Sequence, residues 1–158
     1  MSDAAALLTL LAPVLDRLEG ENPDDPTLAA RLSDALPLEG PTIQAVRAAV
    51  VAGLADGWLT PREAGGVRFG RLAKASAGSR NFSIDAVDMD GAGPGHTHPN
   101  GEIDLCFGLE GSPRFDGNPP GWTVYGRGSW HVPTVEGGRM AILYFLPSGA
   151  IRFEAKPS

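Results

Sequence analysis

The hydrophobic pattern of the chain changes once, near residue 65. Before that point apolar side chains recur with a helical period, and those from Leu7 to Leu18 form one stripe. A second helix is predicted from Thr27 to Leu36, and a third between Gly40 and Gly57, with proline near the start of each. Thr60 and Glu63 have the spacing of a capping box and predict the start of one more short helix. We therefore expect residues 1–64 to form an N-terminal helical segment.

From residue 67 onward, apolar and polar residues alternate with a period of two, which is typical of half-buried strands. Turn residues separate the alternating runs, with one turn expected at Glu136-Gly137-Gly138. The predicted strands are Val67–Lys74, Phe82–Met89, Glu102–Leu109, Trp122–Tyr125, Ser129–Val132, Arg139–Leu146 and Ala150–Glu154. Short strands at this spacing suggest an all-β sandwich or barrel over residues 65–158. The fold class is therefore expected to be mainly β.

Composition and charge narrow the possible functions. The net charge is −6 and the only lysines are Lys74 and Lys156, which disfavours a nucleic-acid partner. Cys106 is the single cysteine, so neither an internal disulfide nor a cysteine-based zinc cluster can form. The chain contains no apolar run of membrane-spanning length, and its start carries Asp3 but no positive charge, unlike a secretory signal. We expect a cytoplasmic protein without a membrane partner.

All three histidines lie in the β part, and two of them precede a carboxylate. His96 and His98 would point to the same side of a strand, and Glu102 follows after a Pro-Asn-Gly turn. His131 would come from another strand. An isolated histidine is more often structural, but three of them flanked by glycine or proline favour one shared site. Imidazole and carboxylate ligands suit a divalent transition metal such as Fe, Mn, Zn, Ni or Co.

The strand that begins at Glu102 is predicted to have two unlike sides. Asp104 and Cys106 share the parity of Glu102, so Asp104 is a candidate proton carrier or a residue that orients a ligand. A small buried hydrophobe is the commoner role for a cysteine such as Cys106. The opposite side is apolar and needs a cover, from the N-terminal helices or from a second subunit in a homodimer. It carries Ile103, Leu105 and Phe107.

The histidine and glutamate spacing resembles the two motifs of the cupin superfamily. His96, His98 and Glu102 match the first motif, and His131 matches the histidine of the second. The chain differs from the cupin motifs at the turns, because Gly126-Arg127-Gly128 stands where the second motif usually has Pro-x-Gly. The resemblance covers residues 67–154 and implies a small cupin-type jelly-roll β-barrel that binds a metal through these four side chains.

A narrower resemblance extends over nearly the whole chain. The segments Trp58–Leu72, Gly93–Phe107, Pro120-Gly121-Trp122 and Gly138–Pro147 resemble the bacterial 4-hydroxylaminobenzoate lyase family. That family has a helical part before a small cupin. The resemblance implies a metal-dependent lyase that converts 4-hydroxylaminobenzoate and water to protocatechuate and ammonia, in nitroaromatic breakdown.

A small aromatic carboxylate as substrate suggests a role for several further residues. Loss of the N-bound hydroxyl needs a Lewis acid or a general acid, and a carboxylate is best bound by arginine. Glu102, Asp104 and Tyr144 are the expected catalytic residues, and Arg68, Arg80, Phe107 and Trp122 are expected to contact the substrate. Two alternatives remain open: an Fe(II)-dependent ring-cleaving dioxygenase with the same ligands, and a non-catalytic cupin that binds a small molecule. Oxygen uptake and turnover distinguish them.

Overall fold

The computed structural model describes residues 3–157, in which three helices precede nine strands. The helices are α1 (Ala4–Leu18), α2 (Leu28–Ala35) and α3 (Pro41–Asp56). The strands are β1 (Arg62–Ala64), β2 (Val67–Ala73), β3 (Phe82–Met89), β4 (His96–His98), β5 (Glu102–Phe115), β6 (Gly121–Tyr125), β7 (Ser129–His131), β8 (Val135–Pro147) and β9 (Arg152–Phe153). A six-stranded sheet has the order β1-β2-β3-β8-β5-β6, and a three-stranded sheet has the order β7-β4-β9.

The helices begin and end where the sequence indicates. The Asp3 carboxylate accepts a hydrogen bond from the Ala6 N–H at 2.8 Å and caps α1. Pro41 lies in the first turn of α3, where no intrahelical partner is needed for its nitrogen. Gly57 ends α3 with a φ of +84°, a left-handed conformation that glycine adopts without strain. The predicted N-terminal helical segment and mainly β remainder are confirmed, and all pairings between neighbouring strands are antiparallel.

The predicted short helix at Thr60 to Glu63 is wrong. Arg62–Ala64 instead form β1, which pairs with β2. Gly65 and Gly66 between the two strands have φ values of +58° and +83°. Two successive residues of positive φ suit the tight hairpin turn whose twist matches that of paired strands. The chain therefore reverses direction at this point and does not continue into a helical turn.

The turn predicted at Glu136-Gly137-Gly138 is also wrong, because β8 runs through it. Both β5 and β8 are longer than predicted and pair along their length through two shifts of register. A Cβ atom at Gly138 would lie 1.9 Å from the Glu110 carbonyl oxygen. Glycine is thus required here by a close approach of two backbones at a bulge.

The two sides of the six-stranded sheet pack against different partners. We call the side that carries Ile103, Leu105 and Phe107 the helix-facing side, because these residues share one buried cluster with apolar residues of α1, α2 and α3. The predicted helical cover is therefore confirmed. Within residues 3–157 no helix is long and apolar enough to cross a membrane.

The opposite side of the same sheet, which carries Cys106, Ile142 and Tyr144, is called the inner side. It contributes a second buried cluster that also contains Met89, Phe115 and Val135. Rings of this cluster lie against the histidines of the three-stranded sheet, with the Phe115 and His131 ring centroids 6.1 Å apart. The interior between the two sheets is therefore the place where the predicted ligands meet.

Candidate metal centre

The three histidines come from one pair of strands in the three-stranded sheet. Strands β4 and β7 are antiparallel, with His96 opposite His131 and His98 opposite Ser129. Directly opposed residues on one side of a sheet have neighbouring side chains, and residues two apart share a side. Glu102 approaches from the first position of β5, after a turn in which Gly101 has a φ of +84°. The two sheets therefore supply three imidazoles and one carboxylate to a single point.

The ligand atoms of these four residues lie within 4.8 Å of one another. His98 Nε2 is 3.3 Å from a Glu102 oxygen, and the corresponding His96 and His131 distances are 3.7 Å and 3.8 Å. The Nε2 atoms of His96 and His131 are 3.1 Å apart. His96, His98 and Glu102 are buried, and the His131 side chain is 11% exposed. The predicted ligand set is thus brought together.

Each histidine has its second ring nitrogen engaged away from the centre. A neutral imidazole that donates through Nδ1 presents the lone pair of Nε2 as a metal ligand. For His98 the direction is fixed, because the Ser129 hydroxyl already donates to the Gly126 carbonyl oxygen at 2.6 Å and so accepts from the ring. The Nδ1 partners are the Pro94 carbonyl oxygen at 3.1 Å, Ser129 Oγ at 2.9 Å and Asp116 Oδ2 at 2.6 Å, for His96, His98 and His131 respectively.

The centre fits a metal ion because its donor atoms have no other partner. His98 Nε2 and both carboxylate oxygens of Glu102 are buried without a hydrogen-bond partner among the described residues. The facing lone pairs of His96 and His131 Nε2 would repel each other unless they shared a cation. A buried carboxylate without a partner is also costly. Three nitrogens and one carboxylate are a suitable ligand set for a divalent transition metal.

Asp116 was not predicted from the sequence, yet it binds the ring of His131, one of the candidate ligands. Besides His131 Nδ1–H, it accepts the Tyr125 hydroxyl and the Thr134 N–H, the latter at 2.9 Å. Partial burial opposes ionisation of Asp116, but these hydrogen bonds outweigh it and lower the pKa of the carboxyl. Asp116 lies in a turn-forming stretch of sequence, where aspartate is common for local reasons. Only the pairing of distant strands reveals its contact with His131.

Asp104 is a second buried carboxyl group on the inner side of β5. Both of its oxygens lack a hydrogen-bond partner in the described chain. Burial first, and then the charge of Glu102, raise the pKa of Asp104 well above its usual range. Burial also opposes ionisation of Glu102, but His96, His98 and Asp104 outweigh it and lower the pKa of Glu102. The pKa values of the two carboxyl groups therefore shift in opposite directions, down for Glu102 and up for Asp104.

Tyr144 lies beside Asp104, to which it is paired across β5 and β8. Its ring centroid is 6.4 Å from that of His96, and its hydroxyl is 4.0 Å from Met89 Sδ. Burial and the nearby carboxylates raise the pKa of Tyr144 well above its usual range, so its hydroxyl is a donor and not a base. Burial likewise raises the pKa of the Cys106 thiol, which argues against a nucleophilic role.

The two arginines expected to bind substrate lie away from the cluster. Arg68 is paired with the buried Asp88, which alternates with the inner residues of β3 and so faces the other way. Arg80 lies in the turn before β3 and binds the Asp16 carboxylate of α1 at 2.6 Å. Each guanidinium already has a structural partner. The structure brings neither arginine to the metal centre.

The two predicted aromatic contacts also lie on the wrong side of the sheet. Phe107 is 1% exposed and belongs to the helix-facing cluster. Trp122 belongs to the same cluster and donates its indole N–H to the Leu36 carbonyl oxygen at 2.9 Å. Because side chains alternate along a strand, both rings lie on the opposite side of the sheet from Glu102. For Phe107 this could be predicted from its odd spacing from Glu102 along β5. The substrate contacts expected for them have no support in the structure.

Two further aromatic rings, not predicted from the sequence, lie next to the histidines. Tyr125 has its ring centroid 4.2 Å from that of His131 and 5.3 Å from that of His98. Phe153 on β9 lies opposite His96, with ring centroids 5.6 Å apart, and is 66% exposed. Tyr125 therefore covers the histidine cluster near His98 and His131, and the exposed ring of Phe153 lies next to His96.

The helical segment reaches the turns that support the ligands. Asp24, between α1 and α2, accepts the Arg127 N–H and one guanidinium N–H, both at 2.7 Å. Pro23 lies so close to Gly101 that a Cβ atom there would be 2.6 Å from the proline ring. The helical segment and the β part, which the sequence divides at residue 65, are therefore in direct contact.

Comparison with known proteins identifies relatives over nearly the whole chain. Residues 9–153 match the family described as PnbB, 4-hydroxylaminobenzoate lyase. The chain is 31% identical to a 4-hydroxylaminobenzoate lyase of Nocardioides sp. (strain LMS-CY), covering 99% of this chain and 98% of that protein. It is also 31% identical to a 4-hydroxylaminobenzoate lyase of Pseudomonas putida, covering 72% and 74%.

Among solved structures, the chain is similar to the DMSP lyase DddQ from Ruegeria pomeroyi. The identity is 18% and the TM-score 0.44, over 97% of this chain and 98% of that one. Both the family match and the first of the two curated relatives extend across the helical segment and the sheets together. The chain belongs to the 4-hydroxylaminobenzoate lyase family.

Proposed function

We propose that the protein is a metal-dependent lyase that converts 4-hydroxylaminobenzoate and water to protocatechuate and ammonia. The observation that carries the proposal is the buried donor set of His96, His98, Glu102 and His131, whose inward atoms lack sufficient partners in the described chain. Family membership supports the substrate class and the reaction. The cofactor is a divalent transition metal held by these four residues.

A bound ion would supply Lewis-acid assistance where the substrate or a water molecule meets the centre. The residues of the chain have separate tasks. Asp104 carries a proton on a buried carboxyl oxygen and delivers it to the N-bound hydroxyl as that group leaves. Tyr144 donates a hydrogen bond through its hydroxyl and excludes water from one wall of the site. Asp116, Ser129 and the Pro94 carbonyl hold the imidazoles in the tautomer that binds metal.

The reaction balances without an oxidant. The N–O bond of the hydroxylamine breaks, and its hydroxyl leaves as water with the proton from Asp104. One water molecule then adds to the electron-poor ring, and a second replaces the nitrogen at its ring carbon, so that the C–N bond breaks and nitrogen leaves as ammonia. Overall one water molecule is consumed and the ring finishes with two hydroxyl groups. The proton on Asp104 is returned from the attacking water. Burial of the site also limits side reactions of the electron-poor intermediate with bulk solvent.

The test combines metal analysis with product analysis on the full-length protein. We expect one equivalent of a transition metal per chain, its loss on treatment with a chelator, and formation of protocatechuate and ammonia under anaerobic conditions. Oxygen uptake with ring-cleaved products would instead establish the dioxygenase alternative. Binding of the aromatic acid without turnover would establish a binding protein. A metal-free protein that retains full activity would overturn the proposal.

Two further expectations accompany this function. A homodimer is one of them, although the helix-facing side of the sheet is already covered by α1, α2 and α3. The other is a cytoplasmic location, as suits the breakdown of small aromatic acids. Sedimentation of the purified protein and fractionation of the producing cells test them separately.

A further inference from the structure

An arginine on the inner side of the sheet is aligned with the metal centre. In the strand registers Arg71 is opposite Asp85, Asp85 is opposite Tyr144, and Tyr144 is opposite Asp104. These residues therefore form one row across β2, β3, β8 and β5. Neighbouring strands are about 4.8 Å apart, so the row from Arg71 to Asp104 spans about 14 Å.

The orientation of Arg71 follows from its neighbours on β2. Leu72 packs against the helix-facing cluster, whereas Phe69 packs against the inner cluster. Arg71 has the parity of Phe69, because side chains alternate along a strand. It therefore faces the inner side, in contrast to Arg68, whose partner Asp88 lies on the other side. Arg71 therefore has the placement on the inner side that was expected for Arg68 and Arg80.

The guanidinium of Arg71 has capacity for a second carboxylate. Its Nε and one terminal nitrogen donate to Asp85 at 2.8 Å and 3.3 Å, which uses two of its five N–H donors. The Arg71 side chain is 47% exposed and that of Asp85 is 21% exposed. An acid that approached along the row would meet the remaining donors, with Asp85 as a competing anion.

Two aromatic side chains lie next to His96, and one of them, Tyr144, belongs to the row that begins at Arg71. Tyr144 lies two strands from Arg71 in the row, and its ring centroid is 6.4 Å from that of His96. Phe153 also neighbours His96, with ring centroids 5.6 Å apart, and is 66% exposed. An exposed ring next to a buried polar centre is a suitable surface for a flat apolar ligand.

We infer that Arg71 binds the carboxylate of an aromatic acid whose ring contacts Tyr144 and Phe153 and whose opposite end reaches the metal centre. The row has one cation at its outer end and the reactive groups at its inner end, so it selects acids with the carboxylate and the reacting group at opposite ends of the ring. The identity of that reacting group rests on the proposed function, whereas the binding of the carboxylate does not.

The experiment measures binding of benzoate and of benzamide, its uncharged analogue, to the metal-loaded full-length protein by calorimetry. In Arg71→Gln we expect the Kd for benzoate to rise about tenfold or more, because a charge-assisted hydrogen-bond pair is lost. The Kd for benzamide should stay unchanged. Arg71→Lys keeps the charge but loses the planar fork and should fall between wild type and Arg71→Gln.

A substitution of Asp85 separates binding from support of the fold. If Arg71 and Asp85 only stabilise the sheet, Asp85→Asn should act like Arg71→Gln. If Arg71 binds the acid, Asp85→Asn removes a competing anion and should lower the Kd for benzoate. Arg31→Gln is the matched control, since it removes an arginine from an aspartate pair of 2.7 Å within the helical segment and should leave both Kd values unchanged.

Two results would overturn the inference: a wild-type protein that prefers benzamide to benzoate or binds neither, and equal benzoate affinity in wild type and Arg71→Gln. Thermal unfolding of each variant confirms that the comparison is made on folded protein. Benzoate binding that depends on Arg71, together with no turnover of 4-hydroxylaminobenzoate, would leave this inference intact and reject only the proposed function.

Discussion

The two sides of strand β5 are equally buried but chemically opposite. Ile103, Leu105 and Phe107 alternate with Glu102, Asp104 and Cys106, and all six are at most 1% exposed. On the helix-facing side every residue paired with them on β6 and β8 is apolar. On the inner side both carboxyl groups lack hydrogen-bond partners in the described chain. Burial therefore indicates packing on one side of the strand and a site on the other.

The contrast has an energetic meaning. Each buried polar group without a partner costs about 1–3 kcal/mol of stability. On the inner side, unpartnered Glu102 and Asp104 each lower the stability of the fold by this amount, and apolar burial against the helices offsets the loss. Substitutions on the helix-facing side should therefore change stability more than chemistry, and those on the inner side should do the reverse.

The largest expected effect is that of Phe107→Ala. Loss of a fully buried phenylalanine from the helix-facing cluster should lower the free energy of unfolding by about 3–5 kcal/mol. Urea denaturation of the metal-free protein measures this change. The folded fraction should still bind one metal ion per chain with unchanged affinity. Weaker metal binding at unchanged stability would contradict the separation of the two sides.

The next effect is that of Asp104→Asn on the inner side. Removal of a proton donor should lower kcat about 100-fold, which is the lower range for general acid catalysis. The metal content should remain one per chain, and the free energy of unfolding should not fall, because an unpartnered carboxyl group is replaced by a neutral amide. Steady-state kinetics with elemental analysis tests both expectations. Unchanged kinetics would remove Asp104 from the mechanism.

Strand alternation made much of this contrast predictable from the sequence. The spacing of His96, His98 and Glu102 predicted side chains that the structure brings together, and the apolar side of Ile103, Leu105 and Phe107 predicted a cover, which the helices supply. The same parity excluded Phe107 from the site, although it was also expected to contact substrate. Alternation within one strand thus predicted the sides correctly, whereas residue type alone suggested a site for Phe107 and Trp122, which lie on the helix-facing side.

The remaining features depend on which strands pair. Asp116 contacts His131 only because the end of β5 lies near β7, and the row from Arg71 to Asp104 exists only through four paired strands. Arg80 was a reasonable candidate by residue type, but its turn lies against α1. Long-range register is not encoded in any local pattern, so these contacts required the structure.

A smaller effect is expected from Asp116→Asn. This substitution changes the group that orients His131 and leaves all four candidate ligands in place. The partners that orient metal-bound histidines typically contribute about 10–100-fold to metal affinity. We expect a decrease of about tenfold, measured by competition with a chromophoric chelator. Asp16→Asn is the control, because it removes an exposed carboxylate bound to Arg80 on the far side of the sheet. Equal affinity in Asp116→Asn and wild type would show that His131 needs no such partner.

The smallest effect is expected from Phe153→Ala at the exposed edge of the site. An aromatic contact contributes about 0.5–1.5 kcal/mol, so the KM for the aromatic acid should rise between about twofold and tenfold. Because Phe153 is 66% exposed, its loss leaves little cavity and stability should scarcely change. Val132→Ala, at a residue that is 40% exposed, is the control for an exposed apolar side chain and should leave KM unchanged. Equal KM values for Phe153→Ala and wild type would contradict the inferred contact between the aromatic acid and this ring.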